Sequence, residues 1–517
     1  MTTTPSKPPG RPVSAVLYTA GAVRTPAVPN ADAMVVEADR VVWLGTAGDA
    51  PAADRRIDLD DALITPAFVD AHIHATDTGL AMLGLDVSAT RSATQLLDAV
   101  AVFAARLSET TVLLGHGFDE STWGNQQVPP SSAELDRAAG GRSVYLSQAS
   151  IHSALVSSDL LALAAETPGF DPSGWVRREA HHVVREAAFA RITPDQQRTA
   201  QLATLRRAAS LGIAAVHECG GPGTSTEDDF QALLALSGRG LPEVYGFWGE
   251  LMGAAKAREL GAVGAGGDLY ADGALGSRTA HVRESYLDGE HGCGHGYVSA
   301  EQVGDHLIDC HRHGMQGGFH AIGDAALTTI ALGFDRAAKG VGVEAIRAAR
   351  HRVEHAELMD KQLIAKFVEY GIVASMQPAF DRLWGGEHQM YAQRLGVERS
   401  LASNPMGQMH GTGVLLAFGS DSPVTPLDPW GSVRAAMWHF NPMQRMSAKA
   451  AFAAHTRGGW RSVHRDHEGV LEPGAPATFA VWDAPHRDGT LPRLLPGEDL
   501  PICLRTVLRG ETIYEIE

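Results

Sequence analysis

The stretch Ala67-Phe68-Val69-Asp70-Ala71-His72-Ile73-His74 decides the fold, because it is a short apolar run that ends in two alternating histidines. Its length and composition are typical of a buried β-strand. Residues two apart in a strand face the same side, so His72 and His74 are predicted to point together, about 6.6 Å apart along the chain. Two imidazoles in that arrangement can bind one metal ion. Another H-x-H, at His311 and His313, lies in a helical pattern, where residues two apart diverge.

Similar short apolar runs recur along the chain, and each is followed by a turn and a helical pattern. Helical segments such as 201–210 and 361–370 lie among the connections. Eight strand–helix units in series predict an α/β fold, a parallel (β/α)8 TIM barrel in which the quoted stretch is strand one. The other predicted strands are 212–219, 243–249, 268–272, 318–324, 352–355, 372–377 and 414–421.

The two ends of the chain differ from this middle region. Residues 1–62 and 467–517 contain short β-rich runs with too few apolar residues for separate cores, so they are predicted to pair into one small β-sandwich domain. The barrel is then predicted over 63–466, with an insertion at about 80–200 after strand one. That insertion holds strand-like runs at 111–118 and 143–150.

Composition excludes several classes of function. The net charge of −17 argues against a general nucleic-acid binder, whose affinity comes mostly from neutralising phosphates. No uninterrupted apolar run is long enough to span a membrane, and the polar, proline-rich start does not resemble a secretion signal. The four cysteines form no C-x-x-C pair, which favours a reducing cytoplasm. We expect a small-molecule substrate as the partner, and a homodimer remains open.

Polar residues also end other predicted strands. His320 ends strand five, His355 ends strand six and Asp421 ends strand eight. Chemistry in such barrels lies at the carboxyl ends of the strands, and this joint set of donors suits zinc or a similar divalent ion. The segment His351-Arg352-Val353-Glu354-His355 also spells an inverted zinc-protease motif, but that motif requires a helix and the segment is predicted to be a strand.

With these residues in order, the sequence resembles the amidohydrolase superfamily, and within it amidohydrolase family 3, the YtcJ-like branch related to N-substituted formamide deformylases. The resemblance covers most of the chain. Its motifs are Pro66 to His74, Ala271-Asp272-Gly273-Ala274-Leu275-Gly276-Ser277-Arg278-Thr279-Ala280, His320-Ala321-Ile322-Gly323-Asp324, Arg352-Val353-Glu354-His355-Ala356, Ala374-Ser375-Met376-Gln377-Pro378 and Gly419-Ser420-Asp421-Ser422-Pro423-Val424.

The resemblance implies a metal-dependent hydrolase that cleaves a non-peptide carbon–nitrogen bond, with a deaminase as the alternative. It implies that His72 and His74 bind one divalent metal, expected to be zinc, together with Asp421. It further implies that His320 and His355 bind a second ion or serve a single-ion site directly. Asp421 is expected to take a proton from the attacking water, and His355 or His320 to steady the oxyanion.

One position departs from the family pattern. A carboxylated lysine that bridges two metals usually ends strand four, but Asp268 stands there, and no lysine lies between Lys256 and Lys339. The aspartate keeps a carboxylate, but its oxygens lie closer to the backbone, so it is expected to bridge only if the backbone moves inward. A one-metal enzyme is favoured, a two-metal site bridged by Asp268 or water is second, and an inactive binding protein is third.

Two residues are candidates for substrate binding. Arg278 follows strand four and can hold a carboxylate with two hydrogen bonds, although a role in bracing its own loop carries slightly more weight. His152 lies in the insertion at a position where relatives often carry a histidine. His217, Glu218 and Cys219 end strand two, and we interpret them as support for ligands rather than as ligands.

Overall fold

The computed structural model describes residues 14–108, 110–123, 128–148, 153–288 and 292–516. The chain forms two compact units. One consists of Met1–His74 with Leu205–Glu517, and the other is Ala75–Thr204.

The larger unit contains the predicted TIM barrel, which is confirmed. Within the described residues, eight parallel strands pair with their neighbours in chain order. The barrel closes between its first and last strands, where Asp421 N donates to the His72 carbonyl at 2.8 Å and His74 N donates to the Ser422 carbonyl at 2.9 Å. The strands β1 to β8 are Phe68–Ile73, Ile213–Gly220, Glu243–Trp248, Gly264–Ala265, Gln316–Ala321, Arg352–His355, Val373–Met376 and Leu415–Phe418.

Strand burial explains the sequence pattern. Every residue of β1, β2, β5, β6 and β7 is buried. Parallel strands that are covered on both faces read as continuous apolar runs rather than as alternating ones. Polar residues within such strands therefore need specific partners inside the protein.

The fourth strand lies earlier than predicted, because two glycines redirect the chain after Ala265. A Cβ on Gly266 would lie 2.3 Å from the Gly318 nitrogen of β5, and Gly267 has φ +80°, which favours glycine. The predicted strand 268–272 instead forms an isolated bridge to β5, where Tyr270 pairs with His320.

The terminal segments build two sheets, as predicted for a β-domain made from both ends. Leu63–Pro66 pairs antiparallel with Phe479–Asp483, which joins the two ends directly. Their shared core includes Ile64, Phe479 and Val507. In the described part of the chain, one sheet has the order Arg40–Gly45, Ala33–Glu37, Ala15–Thr19, Arg55–Asp58, and the other has the order Ala22–Val23, Leu63–Pro66, Phe479–Asp483, Ile502–Leu508, Glu511–Glu515.

The smaller unit has its own sheet and apolar cores. The predicted strand-like runs at 111–118 and 143–150 correspond to Leu113–Phe118 and Val144–Gln148, which pair in parallel. Leu96, Leu113 and Leu146 lie in one core, and Tyr145, Val156 and Val184 in another. As far as this unit is described, the sheet order is Trp175–Arg177, Ser153–Val156, Val144–Gln148, Leu113–Phe118, Leu85–Asp86.

Helices connect these strands, and several begin at standard caps. Ser299 accepts a hydrogen bond from Gln302 N at the start of one helix, and Asp360 caps another. No described helix has both the length and the apolar character needed to cross a membrane. The α-helices are Ala75–Leu83, Ala93–Ala104, Ser132–Ala138, Ser158–Leu161, Arg178–Phe189, Pro194–Ser210, Glu227–Leu234, Ala254–Glu259, Ala300–His313, Asp324–Val341, Val343–Ala349, Lys361–Tyr370, Pro378–Trp384, Met390–Leu395, Val397–Ala402, Met406–Gly411, Pro429–Met437, Ala448–Ala453 and Gly459–Ser462. Ala454–Gly458 is a π-helix, Ala47–Asp49, Glu120–Thr122, Ala162–Ala164 and Pro442–Gln444 are 3-10 turns, and Arg487–Asp488 and Leu491–Pro492 form a short hairpin.

Candidate metal centre

The carboxyl ends of the barrel strands bring together all six side chains predicted as metal ligands. Each comes from the end of a different strand, except that β1 supplies two histidines on the same side, as its alternation predicts. All are buried apart from His74, whose side chain is 14% exposed. They are His72, His74, Asp268, His320, His355 and Asp421.

Asp268 lies in the middle of this cluster. Its Oδ1 is 3.6 Å from His72 Nε2, 3.5 Å from His320 Nδ1 and 3.9 Å from His355 Nε2. Its Oδ2 is 3.2 Å from His74 Nε2. Asp268 reaches the centre although its side chain is shorter than a carboxylated lysine, and it follows the close approach of Gly266 to the Gly318 backbone of β5.

Asp421 approaches the same centre from the opposite side of the barrel. Its Oδ1 is 3.3 Å from His72 Nε2 and 3.2 Å from His74 Nε2. The backbone of Asp421 is left-handed, with φ +56°, a conformation that must be held by its surroundings. Asp70 contributes to that restraint by accepting a hydrogen bond from Ser420 N at 2.9 Å.

Mutual electrostatics dominate the cluster. Burial opposes ionisation of Asp268, but the positive charge of His72 and of the other histidines around it holds its pKa well below its usual range. Burial likewise opposes protonation of His72, but Cys219, Asp268 and Asp421 hold its pKa well above its usual range. The pKa of His320 is also raised against burial, chiefly by Asp268. Two anionic carboxylates therefore attract positive charge to the space between the imidazoles.

Hydrogen bonds on the outer side fix which ring nitrogen faces the centre. His72 Nδ1 lies 2.8 Å from Glu354 Oε2, and His355 Nδ1 lies 2.8 Å from Gln377 Oε1. His320 is turned the other way, with Nε2 at 3.2 Å from the Gly273 carbonyl. Ligand histidines in metal sites are held by this kind of outer partner.

Unsatisfied polar atoms show that a cation fits here. His72 Nε2, Asp268 Oδ1 and His320 Nδ1 are buried and have no hydrogen-bond partner among the described residues. The ligand atoms of three sets each lie within 4.8 Å of one another: His72 with His74 and Asp268, His72 with His355 and Asp421, and Asp268 with His320 and His355. Imidazole and carboxylate donors converging on orphaned atoms suit zinc or a similar divalent ion.

A further set of potential ligands, His72 with Cys219 and Glu354, does not make a comparable site. Glu354 is already engaged by Arg352, whose Nε donates to Oε1 at 2.5 Å and whose Nη2 donates to Oε2 at 2.8 Å. Burial raises the pKa of the Cys219 thiol, which keeps the sulfur protonated. Sequence reasoning missed the roles of Arg352 and Glu354. The available signal was the presence of two charged residues, two positions apart, in a short buried strand.

The predicted substrate-binding residues are not part of the cluster as described. Arg278 is partly exposed and pairs with Asp288, its Nε donating to Oδ1 at 3.1 Å and its Nη2 to Oδ2 at 2.7 Å. His152 lies outside the described residues.

Sequence reasoning passed over Tyr270, which is 38% exposed. Its hydroxyl donates to Asp268 Oδ2 at 3.3 Å, and its ring packs against His320.

Several known proteins are similar to this chain in sequence or in fold. A model of the amidohydrolase family matches residues 55–514. The protein LONG AFTER FAR-RED 3 of Arabidopsis thaliana is 27% identical over 93% of this chain and 90% of its own length. The putative amidohydrolase YtcJ of Bacillus subtilis is 26% identical over 89% of this chain and 90% of its own length. A solved metal-dependent hydrolase from Pyrococcus furiosus superposes with a TM-score of 0.77, covering 92% of this chain and 100% of its own at 24% identity, which shows a shared fold.

Proposed function

This chain belongs to the amidohydrolase family, and we propose that it hydrolyses a non-peptide carbon–nitrogen bond, the amide of a small molecule, with a divalent metal ion. The observation that carries the proposal is the convergence of four imidazoles and two carboxylates, three of whose buried polar atoms have no hydrogen-bond partner in the described part of the chain. Hydrolysis requires charged groups that can activate a water molecule and polarise the substrate carbonyl. This cluster has such groups, and it lies at the carboxyl ends of the strands, where chemistry occurs in such barrels.

Zinc is the proposed metal, and one ion per chain is the proposed stoichiometry. His72, His74 and Asp421 would hold it, with Asp268 and His320 as the nearest further donors. When bound, such an ion supplies Lewis-acid chemistry: it lowers the pKa of a water toward about 7 and polarises a carbonyl. Two ions per chain would instead favour the two-metal alternative, in which Asp268 or water would be the bridge.

The proton transfer is assigned to Asp421. Its pKa is held below the usual range against burial by His72 and His74, so the carboxylate is ionised and can accept a proton. It lies at the mouth of the barrel and contacts both histidines of β1. A carboxylate in that place can take a proton from the attacking water and pass it to the leaving amine.

Stabilisation of the oxyanion is assigned to His355 or His320, with Tyr270 as a further hydrogen-bond donor at the mouth of the barrel. Burial and then Asp268 raise the pKa of Tyr270, so its hydroxyl stays protonated and can exchange its 3.3 Å bond to Asp268 for one to the oxyanion. Tyr270 is partly exposed, and its hydroxyl contacts Asp268 of the cluster.

The reducing cytoplasm is the proposed compartment. All four cysteines lie in the described residues and are free. Structural disulfides are the rule in small secreted proteins and rare in reducing compartments.

The test is metal analysis of the purified protein combined with a panel of N-acyl amines, N-formyl amines and dipeptides. We expect one divalent ion per chain and turnover of a non-peptide amide. Cleavage of the dipeptides alone would move the assignment to a peptidase, and release of ammonia from an aromatic ring to a deaminase. A folded protein with substoichiometric metal and no turnover on any amide, ester or cyclic imide would overturn the proposal and identify a binding protein.

A further inference from the structure

Strand β6 carries two opposite charges into the barrel interior. Arg352 and Glu354 are two residues apart, so they face the same side of the strand. Both are completely buried, and two hydrogen bonds of 2.5 and 2.8 Å join them. Burying two charges is costly unless the geometry is good and the remaining donors are satisfied.

The remaining donors of Arg352 are satisfied by neighbouring strands. Nη2 shares its two hydrogens among Glu354 and two further acceptors, the Ala71 carbonyl of β1 at 2.6 Å and Ser375 Oγ of β7 at 2.9 Å. Nη1 lies 3.1 Å from His217 Nδ1 of β2, and the guanidinium lies 4.3 Å from the ring centre of Phe247 in β3. Contacts to four other strands make Arg352 a rigid support inside the barrel.

Glu354 transmits this support to the ligand cluster. Its Oε2 accepts from Arg352 and also lies 2.8 Å from His72 Nδ1. The only other group that we find at His72 Nδ1 within the described residues is Cys219 Sγ, at 3.5 Å, which is a weaker acceptor. With Nδ1–H donated to Glu354, His72 Nε2 is left facing Asp421 Oδ1 at 3.3 Å and Asp268 Oδ1 at 3.6 Å.

We propose that Arg352 and Glu354 are positioning residues that select the ring orientation and tautomer of His72 and thereby set the metal affinity of the site. This inference rests on the proposed function, because it requires His72 to be a metal ligand. The alternative is that the ion pair only stabilises the barrel. The two roles differ in what a substitution changes: metal affinity in the first, and the stability of the metal-free fold alone in the second.

The decisive variant is Glu354→Gln. It keeps the size of the side chain but removes the negative charge and replaces one carboxylate oxygen with an NH2 group. In either amide orientation that NH2 group faces a donor, either Arg352 Nε at the Oε1 position or Arg352 Nη2 and His72 Nδ1 at the Oε2 position. We expect the affinity for Co²⁺, measured by competition with a chromophoric chelator, to fall about 10- to 100-fold, as is typical when an outer partner of a ligand histidine is lost. The visible absorption bands of the bound Co²⁺ are expected to shift as the His72 ring reorients.

A matched control lies at the opposite end of the barrel. Glu243 begins β3 and pairs with Arg509 through two hydrogen bonds of 2.8 and 3.1 Å. Glu243→Gln makes the same chemical change in a paired carboxylate far along the strand from the cluster. We expect its Co²⁺ affinity to stay within about 2-fold of the wild type, below the change expected for an outer partner.

A second variant keeps the test valid if Glu354→Gln is poorly folded. The double variant Arg352→Met/Glu354→Leu replaces the whole ion pair with apolar side chains, a change that is often tolerated. It too is expected to bind Co²⁺ more weakly, whatever its unfolding temperature. Wild-type Co²⁺ affinity and spectrum in either folded variant would overturn the inference, whereas failure of the wild type itself to bind Co²⁺ would overturn the proposed function instead.

Discussion

Two buried histidines, four residues apart, lie at the two ends of strand β6 and have different surroundings. His351 precedes the strand, where its Nδ1 accepts from Gly317 N at 2.7 Å and its ring packs edge-on against Phe334. His355 ends the strand, where its Nε2 faces Asp268 and its Nδ1 faces Gln377. Residue type and burial are the same at both ends, and only the partners differ.

The electrostatics follow the partners. Burial lowers the pKa of His351 to about 3 and that of His455, which faces a backbone carbonyl, to about 4. His72 is as deeply buried, but the groups that face it, including the carboxylates of Asp268 and Asp421, hold its pKa above the usual range. In a chain with 23 histidines, convergence on carboxylates therefore marks the candidate ligands, and burial does not.

Removing a ligand from the carboxylate-facing set should have the largest effect. We expect His72→Ala to reduce turnover by at least about 1000-fold, about 4 kcal/mol of transition-state stabilisation, and to lower the bound metal. Far-UV circular dichroism should show that the fold persists. The matched control is His351→Asn, which should keep full metal content; equal metal loss in both variants would erase the distinction between the two ends of the barrel.

The next largest effect should come from Asp268→Asn. This variant keeps the shape but removes the negative charge that faces four histidines, and we expect Co²⁺ affinity to fall about 100-fold or more, since a coordinating or bridging carboxylate contributes more than an outer partner. Asp288→Asn, which changes an aspartate paired with Arg278 on the outer loop, is the control. Unchanged Co²⁺ binding in Asp268→Asn would place this carboxylate outside the metal's coordination.

The sequence predicts the parts of this comparison that depend on local pattern. The alternation of His72 and His74 fixes their shared direction, and an apolar run followed by a polar residue locates His320, His355 and Asp421 at strand ends. Chain order alone then brings these ends together, because parallel strands in a closed barrel finish at the same rim.

The sequence does not predict the contacts that depend on three-dimensional approach. Gly266 packs against the backbone of Gly318 in β5, where a Cβ would lie 2.3 Å from the Gly318 nitrogen. The position of Asp268, two residues later, therefore depends on packing between strands and not on local pattern. The bond from His72 to Glu354 joins residues 282 positions apart. Arg278 pairs with Asp288 in its own loop, a local contact that competes with any substrate carboxylate.

A smaller effect is expected for Tyr270, which is partly exposed, than for the buried ligand residues. Tyr270→Phe removes the hydroxyl near Asp268 while the ring can still pack against His320. We expect kcat to fall about 10-fold, the value of one hydrogen bond of about 1.4 kcal/mol, with metal content unchanged. A fall in metal content with unchanged kcat per bound ion would instead assign Tyr270 to support of Asp268.

The smallest effect should appear at His351, in the metal-free protein. An unfolded histidine has a pKa of about 6.5, so as pH falls below that value the unfolded chain binds a proton that folded His351, with its pKa near 3, does not. The stability contributed by neutral His351 is therefore present above about pH 6.5 and is lost as pH falls. The His351→Asn variant lacks this pH-dependent contribution. The difference in free energy of unfolding between the wild type and the less stable variant, measured with urea, should therefore shrink by about 0.8 kcal/mol as pH falls from 8 to 6. Other titrating groups are common to both proteins and cancel in the difference. A deficit that grows as pH falls would mean that folded His351 carries a proton, and the two ends of β6 would then differ less than their partners indicate.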